Sequence, residues 1–171
     1  FRVESYKTVF VDFSRKGKNP FNEIFLLIKL FFIFRRLKPD VCHNFTIKCV
    51  IYGSIAQKLN RVSKIVNTVT GLGLVFVKGG AVQAMVEILY KFSFKFSNSL
   101  VIFQNKDDRE LFLKRKLVKF EKTRLILGSG VNTDKFLPGI HKSEILTIVF
   151  ASRLLKSKGV IQLLETSINL I

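Results

Sequence analysis

Arg153 and Lys158 stand in the run Ser152-Arg153-Leu154-Leu155-Lys156-Ser157-Lys158-Gly159-Val160, between a predicted strand and a predicted helix. An Arg and a Lys beside the free amides of a helix N-terminus suit a diphosphate, because both place positive charge and N–H donors on its oxygens. The same pattern also describes a solvated basic loop, and spacing by itself favours that plainer role. Thr70-Gly71-Leu72-Gly73 lets a ligand come close to the backbone, since glycine has no side chain and tolerates positive φ. A tight structural turn explains those glycines equally well, and the segment lacks the Gly-Lys-Ser/Thr ending of a P-loop. His43, beside Asn44, Thr46 and Lys48, has ring nitrogens that can bond a sugar hydroxyl or a phosphate, although a single histidine is more often structural. His141, in a polar linker, carries less weight.

These residues need elements to position them. Lys7 to Asp12 reads as a strand, followed by a turn over Ser14 to Pro20. Phe21 to Leu37 reads as a helix with Glu23 near its start, basic residues in its last turn and Pro39 just beyond. That helix is apolar nearly all round, which means deep burial or partial contact with lipid. Asp40 to Phe45 reads as a strand, Ile47 to Leu59 as a helix, and Lys64 to Val69 as a strand ending at the glycine loop. Ala81 to Ser97 reads as a helix with Gln83, Glu87, Lys91 and Lys95 in one polar stripe, Glu87 and Lys91 being spaced as an ion pair. Leu100 to Gln104 is a buried strand, and Asn105 caps a helix that runs to about Leu117 with Asp107 and Asp108 in its first turn. Thr123 to Leu127 is the next strand, broken by Gly128-Ser129-Gly130.

The polar stretch up to Gly139 contains Pro138, which sets an expected domain boundary between residues 138 and 139. Beyond it, Leu146 to Ala151 reads as a strand and Ser157 to Leu170 as a helix. Alternating strands and helices imply an α/β fold, a parallel sheet covered on both faces. Ligands of such sheets bind beyond the carboxyl ends of the strands, where His43, Thr70, Gly71, Gly73, Asn105, Gly130, Asn132 and Arg153 all fall.

The chain of 171 residues is 48% hydrophobic, enough for a real core and too apolar for intrinsic disorder. Cys42 and Cys49 form no paired-cysteine cluster with histidines at metal-ligand spacing, so no metal site and no disulfide are expected, and both read as core residues. The 29 Lys and Arg against 12 Asp and Glu leave a net charge of +17, which draws in phosphate-bearing partners. An AT-rich genome is an equally good account of part of the excess Lys. No helix-turn-helix, RNA-recognition or zinc signature accompanies the charge, so specific nucleic-acid binding is not expected. The opening residues lack the basic start and cleavage site of a secretory signal, and without an initiator Met something upstream is expected. Ile24 to Phe34 is too short to span a bilayer, yet it can lie on one.

Taken in order, Phe13-Ser14-Arg15 with Asn19-Pro20, Lys38-Pro39-Asp40-Val41 through His43-Asn44-Phe45-Thr46-Ile47-Lys48, and Asn67-Thr68-Val69-Thr70-Gly71-Leu72-Gly73 resemble the acceptor-side domain of family 4 glycosyltransferases. Phe103-Gln104-Asn105 with Asp107-Asp108-Arg109, Gly128-Ser129-Gly130-Val131-Asn132, and Ser152-Arg153-Leu154-Leu155 with Lys158-Gly159-Val160 continue the likeness. Within the family it is similar to bacterial lipid-linked glycan, capsule and O-antigen transferases, among them one acting on polyprenyl-diphosphate-linked bacillosamine. The resemblance implies a Rossmann-like acceptor-side domain over residues 1–138 without its first strand. It also implies the first strand and helix of the nucleotide-sugar-binding domain over 139–171, the two belonging to a GT-B fold. It further implies a retaining, metal-independent transfer of a hexose or N-acetylhexosamine, with no cofactor, from a UDP-sugar to a polyprenyl-diphosphate-linked saccharide at the inner face of the cytoplasmic membrane.

By the same resemblance Arg153 and Lys158 neutralise the departing diphosphate. Thr70, Gly71, Gly73, Asn105, Gly130 and Asn132 would line the substrate cleft. His43 matches half of a His-x-His pattern whose second position is Phe45. The basic surface and Ile24 to Arg36 suit an anionic membrane and its lipid-linked acceptor. The family's glycine-bearing opening and its downstream glutamate pair are expected outside this chain, so the 171 residues alone are not expected to transfer sugar. The alternative reading is a non-catalytic basic α/β module that binds anionic membrane or polyphosphate.

Overall fold

Asn19 starts the first helix by accepting a hydrogen bond from the Phe21 N–H at 3.0 Å, and Pro20 supplies the preset φ of a first helical residue. The resulting α1 runs Pro20–Leu37, with Glu23 in its first turn and Arg35 and Arg36 in its last, as the helix dipole favours. The computed structural model describes residues 8–13, 19–96, 99–128, 130–137, 139 and 147–169. Within them follow β1 (Val41–Phe45), a π-helical turn (Cys49–Gly53) leading into α2 (Ser54–Leu59), β2 (Lys64–Val69), α3 (Gly73–Lys78) and α4 (Gly80–Phe96). Next come β3 (Ser99–Phe103), α5 (Lys106–Lys114), β4 (Thr123–Leu125) and α6 (Val160–Ile168).

The four strands form one parallel sheet in the order β1-β2-β3-β4, flanked by helices, which bears out the Rossmann-like α/β class. Alternation along the strands sends Val69, Val101 and Phe103 to one face, where they pack with Val50, Ile51, Tyr90, Phe94 and Phe112. Phe112 is the hub: the rings of Tyr90 and Phe103 meet it edge-on at 5.0 and 5.1 Å. On the same side as this core, four buried polar side chains bond one another. Asn44 and Gln57 exchange amide hydrogen bonds of 3.0 and 2.8 Å, while Asn67 Oδ1 accepts from Asn44 and from Ser54 at 2.8 and 3.0 Å. The opposite face is open among the described residues, with His43, Phe45 and Arg124 exposed and Val66, Leu100 and Ile102 half-buried. The expected cover on both faces is therefore found on one.

Several expected boundaries move for local reasons. Residues 8–12 form no strand, and Lys7 and residues 14–18 lie outside the described residues. The helix over Ile47 to Leu59 contains the π turn, and α3 is an additional helix that takes in Gly73. The α5 helix stops at Lys114, before the expected Leu117, because the chain doubles back: the Leu117 N–H bonds the Phe112 carbonyl at 2.9 Å and buries Leu117 and Val118. In α4 the polar stripe splits, with Gln83 buried and Lys91 and Lys95 exposed. Glu87 pairs with Arg115 and accepts from Gln83 at 2.7 Å, and no bond to Lys91 takes its place. Cys42 is buried, which pushes its thiol pKa up, and Cys49 is half-buried; both are free thiols.

Two compact units result, Phe1–Gly130 and Val131–Ile171, the break preceding the expected 138/139 boundary. In the second unit residues 147–151 form no strand, and Leu146 lies outside the described residues. Its helix starts at Val160 because Gly159, at φ 83°, lies outside helical geometry.

Asn44→Ala strands the buried Gln57 and Asn67 amides and should lower unfolding free energy by about 2–3 kcal/mol. Phe112→Ala should cost about 3–5 kcal/mol by emptying the aromatic hub. Urea denaturation of each variant checks both.

Candidate functional site

Parallel pairing sets the strand ends of the first unit along one edge. Val69 lies opposite Phe103 and Phe103 opposite Leu125, so Thr70, Gln104 and Ile126 leave the sheet side by side. The segments carrying Thr70, Gly71, Asn105 and Gly130 therefore start from a common carboxyl edge, where ligands of parallel sheets bind. Gly71, at φ 148°, has open space where a Cβ would point. Gly73, at φ 66°, would place a Cβ 3.2 Å from Ile47 Cδ1 and opens α3. Both therefore need glycine: Gly71 for backbone geometry with room for a ligand, Gly73 for geometry and packing.

His43 is exposed on the open face of β1. Its Nε2 meets the hydroxyl of buried Thr68 at 2.7 Å, and its ring lies 4.2 Å from that of Phe45. The tether leaves the other ring nitrogen for a ligand. Asn105 is committed to its helix: Oδ1 accepts the Asp108 N–H at 2.7 Å and Nδ2 donates to the Asp108 carboxylate at 2.8 Å. What Asn105 offers directly is thus a rigid start to α5 in place of a free amide.

In the second unit Asn132 is similarly occupied, accepting the N–H groups of Asp134 and Lys135 at 3.0 Å each. Arg153 and Lys158 are exposed, Lys158 on the short 3-10 turn (Lys156–Lys158) that precedes α6. No side chain caps the α6 N-terminus, which follows Lys158 directly in the chain. Ser129 and His141 lie outside the described residues. No group of three His, Cys, Asp or Glu residues that could hold a metal occurs among the described residues.

Two features of the first unit escape a reading by motif. Thr46, a β-branched residue, sits at φ 69° directly after β1, a left-handed conformation that costs about 1–3 kcal/mol and recurs at functional sites. Beside α1 lies a cavity of about 380 Å³ lined by Asp12, Phe13, Glu23, Phe25, Lys29 and Lys48, among others. Glu23 and Lys48 form an ion pair of 2.5 Å in its wall. Nearby, burial, then the charge of the Glu23 carboxylate and a hydrogen bond to it, push the Tyr52 hydroxyl up to about 12. The sequence separation of Glu23 and Lys48 hides this pair, whereas positive φ at Thr46 follows from tertiary packing and has no sequence signal.

The glycosyl transferase 4-like family model matches residues 2–105, bearing out the resemblance read from the motifs. The chain is similar to the N,N'-diacetylbacillosaminyl-diphospho-undecaprenol alpha-1,3-N-acetylgalactosaminyltransferase of Campylobacter jejuni, at 30% identity over 146 residues, 81% of this chain and 37% of that protein. It is also similar to the UDP-Gal:alpha-D-GlcNAc-diphosphoundecaprenol alpha-1,3-galactosyltransferase of Escherichia coli, at 28% identity over 142 residues, 83% of this chain and 36% of that protein. The chain thus spans little more than a third of the length of the curated relatives it matches.

Thr46→Gly should relieve the strained turn and raise stability by about 1 kcal/mol, and Gly73→Ala should lower it by at least that amount. Urea midpoints decide both. The raised Tyr52 pKa makes the folded state retain a proton that the unfolded chain loses above its ordinary value near 10. Its contribution should be intact below pH 10 and lost as pH rises towards about 12. Tyr52→Phe should show a shallower decline over that window in the same denaturation assay.

Proposed function

The chain belongs to the glycosyl transferase 4-like family, and from that premise we propose that it supplies the acceptor-side domain, and the opening of the nucleotide-sugar domain, of a transferase acting on lipid-linked saccharides. The donor in this reading is a UDP-hexose or UDP-N-acetylhexosamine, and the acceptor is a saccharide on a polyprenyl diphosphate. The observation that carries it is the likeness to two relatives that match more than four-fifths of this chain and are named for α-1,3 transfer onto diphospho-undecaprenol-linked sugars. An α-linked product made from an α-linked UDP-sugar is net retention, which supports the retaining course. The product would enter a cell-surface glycan, capsule or O-antigen, and the work would be done at the inner face of the cytoplasmic membrane. The net charge of +17 favours such an anionic setting.

In the proposed mechanism Arg153 and Lys158 take up the charge that develops on the UDP diphosphate as the glycosidic bond breaks. Charge stabilisation at the leaving group is the largest contribution such a site can make, and open amides at the start of α6 would add to it. In the first unit the Thr70–Gly71 backbone would contribute to donor binding, with Gly71 giving the clearance. His43, held by Thr68, would present its second ring nitrogen to a sugar hydroxyl or phosphate. Asn105, Gly130 and Asn132 would act through the backbone they hold in place, since both asparagine side chains are engaged in caps.

The competing reading, a non-catalytic basic module for anionic membrane or polyphosphate, draws on the same charge. Arg153 and Lys158 discriminate the two, because a charge-driven binder loses little with any one cation. The test is transfer of labelled sugar from a panel of UDP-sugars to polyprenyl-diphosphate saccharides. It uses the chain expressed with whatever its native reading frame encodes on either side, alongside the 171-residue piece. Expected are turnover by the former, none by the latter, and a loss of about 10²–10³-fold in kcat for Arg153→Ala or Lys158→Ala. Folded protein that transfers nothing from any UDP-sugar would return the assignment to the binding module.

A further inference from the structure

The chain segments that leave β1 and β2 run side by side, because β1 ends at Phe45, opposite Thr68, and β2 continues one residue further to Val69. The glycine loop after β2 has little of its own to hold it. Among the described residues Thr70 and Gly71 make no turn or loop backbone hydrogen bond, and nothing stands within 4 Å of a Cβ built on Gly71. A segment with so few restraints opens locally at small cost. The segment after β1 is the opposite case. Thr46, at φ 69°, takes the chain out of the strand and its carbonyl accepts the Val50 N–H at 2.9 Å, while Val50 and Ile51 are buried and Gly53 lies against Asn44. Ile47 stands between the two. Its backbone belongs to the fixed segment, its side chain packs against the core, and its Cδ1 is what a Cβ at Gly73 would meet, at 3.2 Å.

We infer that Ile47 is a positioning residue: its side chain is the stop against which Gly73 seats, and through it the rigid segment after β1 holds the Thr70–Gly73 backbone in the conformation that meets the donor. Thr46 and Gly73 then serve one purpose. The left-handed turn at Thr46 brings Ile47 to the loop, and the missing Cβ of Gly73 lets the loop settle on it. Alanine at Gly73 would push Ile47 back by a few tenths of an ångström, and a shorter side chain at 47 would leave the loop without its stop. Val75 and Phe76 tie α3 to the core, Phe76 by stacking on Phe112 at 5.9 Å, so what Ile47 adds is restraint at the turn itself. The contact lies wholly within the first compact unit and does not depend on what the second contributes. For its purpose the inference rests on the transferase reading, which assigns the Thr70–Gly71 backbone to the donor.

Amide nitrogen relaxation on the 171-residue chain reads the restraint with no donor present. Expected at Leu72 and Gly73 are order parameters near the rigid-backbone value of about 0.85 in the parent, falling below about 0.6 in Ile47→Ala and by less in Ile47→Val, with Val69 in β2 unmoved. Ile47→Leu, which keeps a δ carbon, should stay with the parent. Gly73→Ala, Ile47→Val and the two combined form a double-mutant cycle in urea stability. Alanine at positive φ is equally strained with either side chain at 47 and cancels, so relief of the contact should leave a coupling of at least about twofold in the unfolding equilibrium constant. In the protein expressed with its native flanking sequence, Ile47→Ala should raise KM for the UDP-sugar about five- to thirtyfold, the cost of ordering one backbone residue on binding, with kcat within about twofold. Mere loss of folded protein would lower kcat and leave KM alone. Order parameters unchanged in both Ile47→Ala and Ile47→Val overturn the inference, as does a cycle that closes to additivity, or a donor KM that stays with the parent while kcat falls. A parent that transfers nothing removes the transferase reading, and the relaxation and stability arms then decide the restraint by themselves.

Discussion

Asn44 and Asn67 face each other across β1 and β2, and their buried amides, with Gln57 and Ser54, bond one another because burial takes them out of bulk solvent. An unpaired buried amide costs about 1–3 kcal/mol, whereas slipping β1 by one residue would expose Asn44 and bury His43. The network therefore holds the register in which His43 meets Thr68. It also shapes the chain that follows: at Gly53 a Cβ would stand 2.8 Å from Asn44 Oδ1, so only glycine lets the π turn approach the sheet. That turn aims Ser54 and Gln57 at the asparagines. Candidate site and polar network are thus two faces of the same two strands.

The network is not perfectly closed. The Asn67 Nδ2 is buried without a partner, which leaves a residual cost that the surrounding core must offset. Phe112, Phe94, Phe103 and Tyr90 lie in the same unit and are buried, with the edge-on contacts of Tyr90 and Phe103 on Phe112 adding to the gain. Burial of Tyr90 also drives its hydroxyl pKa strongly upward, with the Asp108 carboxylate adding to the shift. A phenylalanine-rich core and a polar clamp divide the work: the first supplies cohesion without direction, and the second supplies register.

The candidate residues divide between the two compact units. His43, the Thr70 to Gly73 segment, Asn105 and Gly130 belong to the first compact unit, and Asn132, Arg153 and Lys158 to the second. The first unit's contributions are mostly backbone positions held by caps and glycines, which suits recognition of a neutral sugar. The second contributes cations and open helix amides, which suits a diphosphate.

The alternation of apolar runs, the caps at Asn19 and Asn105 and the glycines after β2 and β4 determined most of the order of elements in the first unit, because these are local preferences acting over a few residues. Motif order was legible for the same reason, and the family follows from it. Local preference could not decide that Glu87 pairs with Arg115 across elements in place of Lys91 one turn away, nor that Thr46 adopts a positive φ. It also left open which side of α1 is buried, since a helix apolar nearly all round gives little to orient it. Packing against α2 and the π turn made that choice, burying Leu26 and leaving Phe21, Phe25 and Phe32 outside. Long-range pairing and the direction a side chain faces depend on what the rest of the chain brings alongside, and that information exists only once the sheet has formed.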